Sequence, residues 1–341
     1  MKNILLIIFF GFFLSGCFRE DTPLAPYIPS EELKTVTIPM SAYDEKLGAV
    51  TSKNQVFFQL STGLEHIVAR ESWDLGFEAS ADGWHIILNS ANYMQVADAG
   101  VTDFDRVWTV AEMKNYTFAF DSAVGDLNFT AIGGWLNPET GEGNGRVWLL
   151  DRGYDGSQDL RGYKKIVFDS LESDTYYFHY ADLDGSNPQS ASVAKNSTSN
   201  FSFFSLETDG PVIVEPPKED WDLCFSYYSY RYSDGFPYWL TGALSNRYAV
   251  KTAEVSDSTM VFESLTLADT ARFDFTSHID EIGFDWKEYL FGPPARYVVY
   301  SDRLFLVRDT KGYYYKLRFT DFYDDKGERG FPVFEYSALV P

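Results

Sequence analysis

The chain has 341 residues, with 50 acidic against 28 basic side chains and a formal net charge of −22 at pH 7. That balance excludes binding to nucleic acid through phosphate neutralisation. A hydrophobic content of 45% and an aromatic content of 18% exclude a disordered chain and favour strands. The two cysteines, Cys17 and Cys224, exclude a disulfide framework and a cysteine-based metal site.

The N-terminus reads as an export signal. Lys2 and Asn3 precede an apolar run over residues 4–14, broken only by Gly11. That run is shorter than the roughly 20 residues a membrane-spanning helix needs, and it suits the core of a secretory signal. It ends in Leu14-Ser15-Gly16-Cys17, which resembles the lipobox of bacterial lipoproteins. The resemblance implies a signal peptide over 1–16 and a lipidated Cys17 as the mature N-terminus. An ordinary secretory signal with a chance cysteine is the alternative. Residues 17–33 read as a tether, kept extended by Pro23, Pro26 and Pro29. Within it, Arg19-Glu20-Asp21 is similar to surface-export signals on lipoproteins of Bacteroidota; it also suits a plain charged linker. No later segment approaches spanning length, so the lipid is the one membrane attachment expected.

Beyond the tether the pattern is that of an all-β protein. Val56, Phe58 and Leu60 alternate with Phe57 and Gln59; Tyr176, Phe178 and Tyr180 alternate with Tyr177 and His179. Leu223-Cys224-Phe225 is apolar, and Cys224 is expected to be a small buried core residue. Residues 304–307 form a continuous apolar run, as in a strand covered on both faces. Tyr313, Tyr315, Leu317 and Phe319 alternate with more polar neighbours. Turn pairs such as Asp184-Gly185, Asp234-Gly235 and Lys326-Gly327 punctuate these runs.

An internal repeat organises the chain. Val56-Phe57-Phe58-Gln59-Leu60 matches Ser202-Phe203-Phe204-Ser205-Leu206, and Trp73-Asp74-Leu75-Gly76-Phe77 matches Trp221-Asp222-Leu223-Cys224-Phe225. The stretch from Ile132 to Trp135 resembles that from Ile282 to Trp286. Residues 146–150 match 303–307, and 165–168 match 316–319. The order is kept while the spacing drifts, as loop insertions between fixed strands would give. Two copies of one antiparallel β-domain are therefore expected in tandem, over 34–190 and 191–341. Two such domains could also merge into one continuous structure.

The second copy resembles the HmuY family, haem-binding lipoproteins of Bacteroidota. The resemblance rests on Asp302-Arg303-Leu304-Phe305-Leu306-Val307-Arg308, on residues 315–322 and on Pro332-Val333-Phe334-Glu335-Tyr336. Trp221-Asp222 is similar to the family's opening Trp-Asp strand, and residues 34–38 to its first strand. The resemblance implies an all-β fold, haem held by two axial side chains, and capture outside the cell with hand-over to a TonB-dependent outer-membrane receptor. One family ligand lies directly before a Gly-Pro turn. Here that turn is Gly292-Pro293, and Phe291 precedes it. Phenylalanine has no lone pair for iron, so no family ligand carries over.

The four histidines are His66, His85, His179 and His278. Only His278 lies in the better-matched copy, and it is the candidate haem ligand, because imidazole is a good iron donor near neutral pH. The simpler alternative is a surface or loop histidine bonded to a neighbouring acid such as Asp280. Met260 is a softer alternative donor, and His179 reads as a packed strand residue. The aromatic cluster at Tyr227, Tyr228, Tyr230, Tyr232, Phe236, Tyr238 and Trp239 could stack on a porphyrin or a sugar, or fill a core. Asp121-Ser122-Ala123 resembles an O-glycan acceptor site. No nucleophile elbow, His-Glu-x-x-His or phosphate loop occurs, so no enzyme is expected. The expected function is haem or iron acquisition at the outer membrane, by binding and not by turnover. The alternative is a surface binding or scaffold module that has lost haem and recognises glycan or a partner protein.

Overall fold

The computed structural model describes residues 28–341 apart from Asp234. The signal, Cys17 and most of the tether lie outside the described residues. Among the described residues, no helix is long and apolar enough to cross a membrane.

The protein is all-β, with every ladder antiparallel and a few short 3₁₀ turns between strands. One five-stranded sheet runs in the order Lys34–Thr37, Arg329–Leu339, Tyr314–Tyr323, Leu304–Arg308, Lys251–Glu254. A seven-stranded sheet is built around Tyr163–Glu172, which pairs with Thr175–Ala181 and Trp148–Asp151. The alternating pattern of residues 313–320 appears as the strand Tyr314–Tyr323, with Tyr315, Leu317 and Phe319 buried on one face. The continuous run appears as Leu304–Arg308, buried at its first four positions. Asn54–Phe58 differs from the one-faced strand its alternation predicts. Phe57 is buried as well as Val56 and Phe58, because each face of this strand meets a different core.

Two smaller sheets join the halves of the chain. Asn54–Phe58 pairs with Leu223–Arg231, and Leu75–Glu78 pairs with Phe201–Ser205. The first-half Val-Phe-Phe strand thus pairs with the second-half Trp-Asp strand, and the reverse pairing holds too. The exchange extends to the ends: Lys34–Thr37 pairs with Arg329–Leu339. The position 190/191 falls inside the strand Gln189–Ala194, which pairs with Thr175–Ala181.

Two large cores result. One mixes Ile38, Val56 and Phe58 with Phe225, Trp286, Phe319 and Phe334. Phe58 packs edge-on against Phe334 at 5.4 Å and Tyr336 at 5.7 Å. The other gathers Phe77, Trp135, Phe168 and Phe178 around Phe204 and Leu206. Between them lies a third cluster of Phe57, Trp73, Phe201, Phe203, Trp221 and Cys224, at the seam where the exchanged strands meet.

Candidate functional site

The seam is held by matched interactions from the repeated motifs. The Asp74 amide donates to the Phe204 carbonyl at 2.9 Å, and its carboxylate accepts from the Leu206 amide at 2.8 Å. Asp222 does the same to Phe58 and Leu60, both at 2.8 Å. Asn89 Nδ2 donates to the carbonyls of Arg70 and Trp73, and Asn246 Nδ2 to those of Lys218 and Trp221. Trp73 and Trp221 pack edge-on against Phe203 and Phe57, with centroids 4.8 and 5.0 Å apart. Their recurrence in the sequence therefore has a packing cause.

Two loops close the seam on one side. Val124 O accepts from the Ile279 amide at 3.0 Å, and Ile279 O accepts from the Ser245 amide at 2.7 Å. Gly125 has φ +77°, and a Cβ there would meet Ile279 Cδ1 at 2.8 Å. Only glycine allows this docking without displacing Ile279. Asp121 anchors its loop by accepting from the amides of Leu88 at 2.7 Å and Ala131 at 2.8 Å. Burial pushes its carboxyl up to about 6. The Asp121-Ser122-Ala123 motif is therefore folded into the seam. Glu215 accepts from the amides of Asn200 and Phe201 and from Asn200 Nδ2, and burial pushes it up to about 7. The half-buried Arg247 donates to the Gly125 carbonyl and lies over the Phe201 ring at 5.2 Å.

Two spaces open here. A cavity of about 140 Å³ is lined by the aromatic rings of the seam, with Asp121, Glu215 and Arg247 among its walls. Next to it, sharing Gly125, Asp126, Leu127, Asn200, Phe201 and Arg247, is a groove of about 570 Å³. His278, Tyr248 and Lys218 also line that groove. The groove falls within the size range of small-molecule sites, and the cavity falls below it. Lys218 Nζ stands over the Tyr248 ring at 4.7 Å.

His278 is exposed on the loop after Thr276, whose hydroxyl accepts from its backbone amide at 3.1 Å. Among the described residues, no hydrogen bond joins its ring to Asp280. The other histidines are engaged. His66 Nε2 contacts Val214 O at 3.1 Å, His85 Nδ1 contacts Glu78 at 2.6 Å, and His179 contacts Asp169 at 2.9 Å while packing edge-on to Phe104. Met260 Sδ accepts from Arg272 at 3.5 Å and lies half-buried beside Phe262. Among the described residues, no group of three or more His, Cys, Asp or Glu side chains could hold a bare metal ion. Cys224 is buried and lines the seam cavity, and burial raises its thiol well above the ordinary range.

Phe291 is 89% exposed at the tip of the hairpin made by Lys287–Leu290 and Arg296–Val299, with its ring edge-on to Tyr289 at 5.0 Å. The aromatic cluster divides. Tyr228 is buried and Trp239 half-buried, while Tyr232, Phe236 and Tyr238 stand exposed near the tip of the hairpin formed by Leu223–Arg231 and Pro237–Ser245. Asp234, in that tip, lies outside the described residues.

The sequence model of the family described as HmuY protein matches residues 51–336. The chain belongs to the HmuY family. No curated protein sequence matches the chain. Among solved structures, apo PinO from Porphyromonas gingivitis is similar at 10% identity and a TM-score of 0.34, covering 91% of this chain and 98% of its own. The apo HmuY analogue of Tannerella forsythia is similar at 11% identity and a TM-score of 0.32, covering 92% and 99%.

Sequence reasoning singled out His278 but missed the groove it lines. Lys218 and Arg247 come from different loops, and only the seam brings them beside His278. One signal was available. Lys218 occupies the repeat position of Arg70, three residues before each Trp-Asp pair. Arg70 is fully buried, its guanidinium bonded to the carbonyls of Ser52, Ala91 and Tyr154, whereas Lys218 reaches a groove.

Proposed function

We propose that this HmuY-family chain is a lipoprotein, anchored through Cys17 at the outer membrane and facing outward, that binds haem and hands it to a TonB-dependent receptor for iron acquisition. The observation that carries the reading is the groove itself. It combines an exposed imidazole, His278, with the Tyr248 ring and the cations Lys218 and Arg247. Haem needs an axial nitrogen for iron, a flat apolar wall for the macrocycle, and positive charge for its two carboxylates. Lys218 and Arg247 offer the haem carboxylates two cations, in a groove that Glu78 and Asp126 also line. The action is binding and release, not turnover.

Phe291 favours a second reading, a surface module on the same fold that recognises glycan or a partner protein. Its side chain offers iron no electrons, and it stands exposed at a hairpin tip.

A haemin titration of the chain from Phe18 to Pro341 separates the two. A saturable Soret shift that is lost in His278→Ala and weakened in Lys218→Ala supports the haem carrier. No saturable shift in either iron oxidation state refutes it and leaves the surface module.

A further inference from the structure

The repeat makes Trp73 and Trp221 counterparts, and both line the seam cavity. Their indole N–H groups are treated differently. Trp73 Nε1 donates to Gln55 Oε1 at 2.7 Å, and Gln55 Nε2 in turn donates to Ser226 Oγ at 3.0 Å. The counterpart of Gln55, one residue before the matched strand motif, is Phe201. Phenylalanine offers no acceptor, and Trp221 Nε1 is buried without a partner, in a side chain only 6% exposed. Tyr228 and Ser229 also line this cavity, are each 2% exposed, and have hydroxyls without partners. Buried polar groups in native proteins are nearly always satisfied. Three unmet ones on side chains that line one space, the Trp221 indole foremost, point to a hydrogen-bonding guest.

Size and charge define the guest. The cavity, about 140 Å³, compares with the roughly 150 Å³ space that accepts a benzene ring in a protein core. Its walls include the rings of Phe57, Trp73, Phe203 and Trp221. The carboxylates of Asp121 and Glu215 are already engaged by backbone amides, and Arg247 supplies positive charge beside them. A charged guest would lose its hydration among these rings without a free partner, whereas a neutral one loses little.

We infer that the seam cavity binds a small, neutral aromatic molecule bearing one hydrogen-bond-accepting oxygen, with phenol as the simplest member of the class. The ring fills the aromatic space, and its oxygen accepts from Trp221 Nε1. This site adjoins the groove proposed for haem and shares a wall with it, Phe201 and Arg247 included, but its guest and its test do not depend on that reading.

The test is phenol titration into the chain from Phe18 to Pro341, which keeps every residue of the described fold. It is followed by the indole N–H resonances and by ligand-observed NMR. Saturable binding that shifts the Trp221 indole resonance is expected. Phe201→Gln gives Trp221 the partner that Gln55 gives Trp73, and it should weaken phenol about tenfold, the worth of roughly one hydrogen bond. Should that variant fail to fold, Trp221→Phe keeps a ring but removes the donor. It should weaken phenol by a similar factor while leaving toluene affinity unchanged. Absence of saturable phenol binding to the unaltered chain overturns the inference. So does phenol affinity that is equal in the unaltered chain and in the folded variant.

Discussion

Asp74 and Asp222 occupy the same repeat position and make the same backbone hydrogen bonds, yet replacing each by asparagine should have opposite consequences. Asp74 is fully buried, and its carboxylate meets Arg152 at 3.0 Å and Arg161 at 2.8 Å, both with side chains almost inaccessible. Asp74→Asn removes the charge that compensates two buried guanidinium groups, and breaking such an arrangement costs about 3–5 kcal/mol. Asp222 has no cation at contact distance among the described residues; Asp309 lies nearby. Burial, with Asp309 adding to it, pushes its carboxyl up to about 6. A rise of about two units is worth roughly 3 kcal/mol against the ionised form. Asp222→Asn removes that penalty and, with the amide oxygen kept on the Leu60 amide, loses the 3.2 Å bond from the Thr310 amide, worth about 1 kcal/mol. At pH 8 the variant should therefore equal or exceed the parent by about 1–2 kcal/mol. The sign with pH follows from linkage. The folded pKa is raised, so the native state holds the proton more tightly than the unfolded chain, and stability falls as pH rises from about 4 to about 6. The advantage of Asp222→Asn is full above pH 6 and gone below about pH 4. Urea unfolding followed by tryptophan fluorescence at pH 8 and pH 4 measures both variants. Equal destabilisation at pH 8, or an Asp222→Asn effect independent of pH, would refute the reasoning.

Two further outcomes are expected. Lys287 is buried, donates to the carbonyls of Thr241 and Phe284, and lies over the Trp286 ring at 4.2 Å; burial lowers its ammonium to about 7. Because its folded pKa is depressed below that of the unfolded chain, stability rises with pH between about 7 and 10.5. Lys287→Met should therefore raise the unfolding free energy at pH 7 by on the order of 1–3 kcal/mol, with the gain shrinking by pH 10. The exchanged strands give the second outcome. We propose that the repeats are two copies of one β-unit that fold only together. Fragments 28–194 and 195–341 should each lack near-ultraviolet circular dichroism alone and recover it on co-expression. A fragment that folds cooperatively by itself sinks this proposal.

The sequence by itself determined the all-β class, the family and the positions of several strands, because these follow from local pattern. Alternation at Tyr315, Leu317 and Phe319 records one buried face. Recurring Trp-Asp pairs record the same packing made twice. The tertiary structure alone decided which strands pair. Val56–Phe58 finds its partner at Leu223–Phe225, far along the chain, and no local period encodes a pairing at that separation. It also decided how equivalent residues diverge. Asp74 has two arginines and Asp222 has none within contact, although the Trp-Asp motifs read alike. His278 is a candidate ligand in one dimension, but nothing there shows what surrounds it. The docking of Ile279 on Val124 places it on a groove with Lys218, Tyr248 and Arg247. Periodicity reports what a segment buries, whereas a site is made by what the fold brings from elsewhere to meet it.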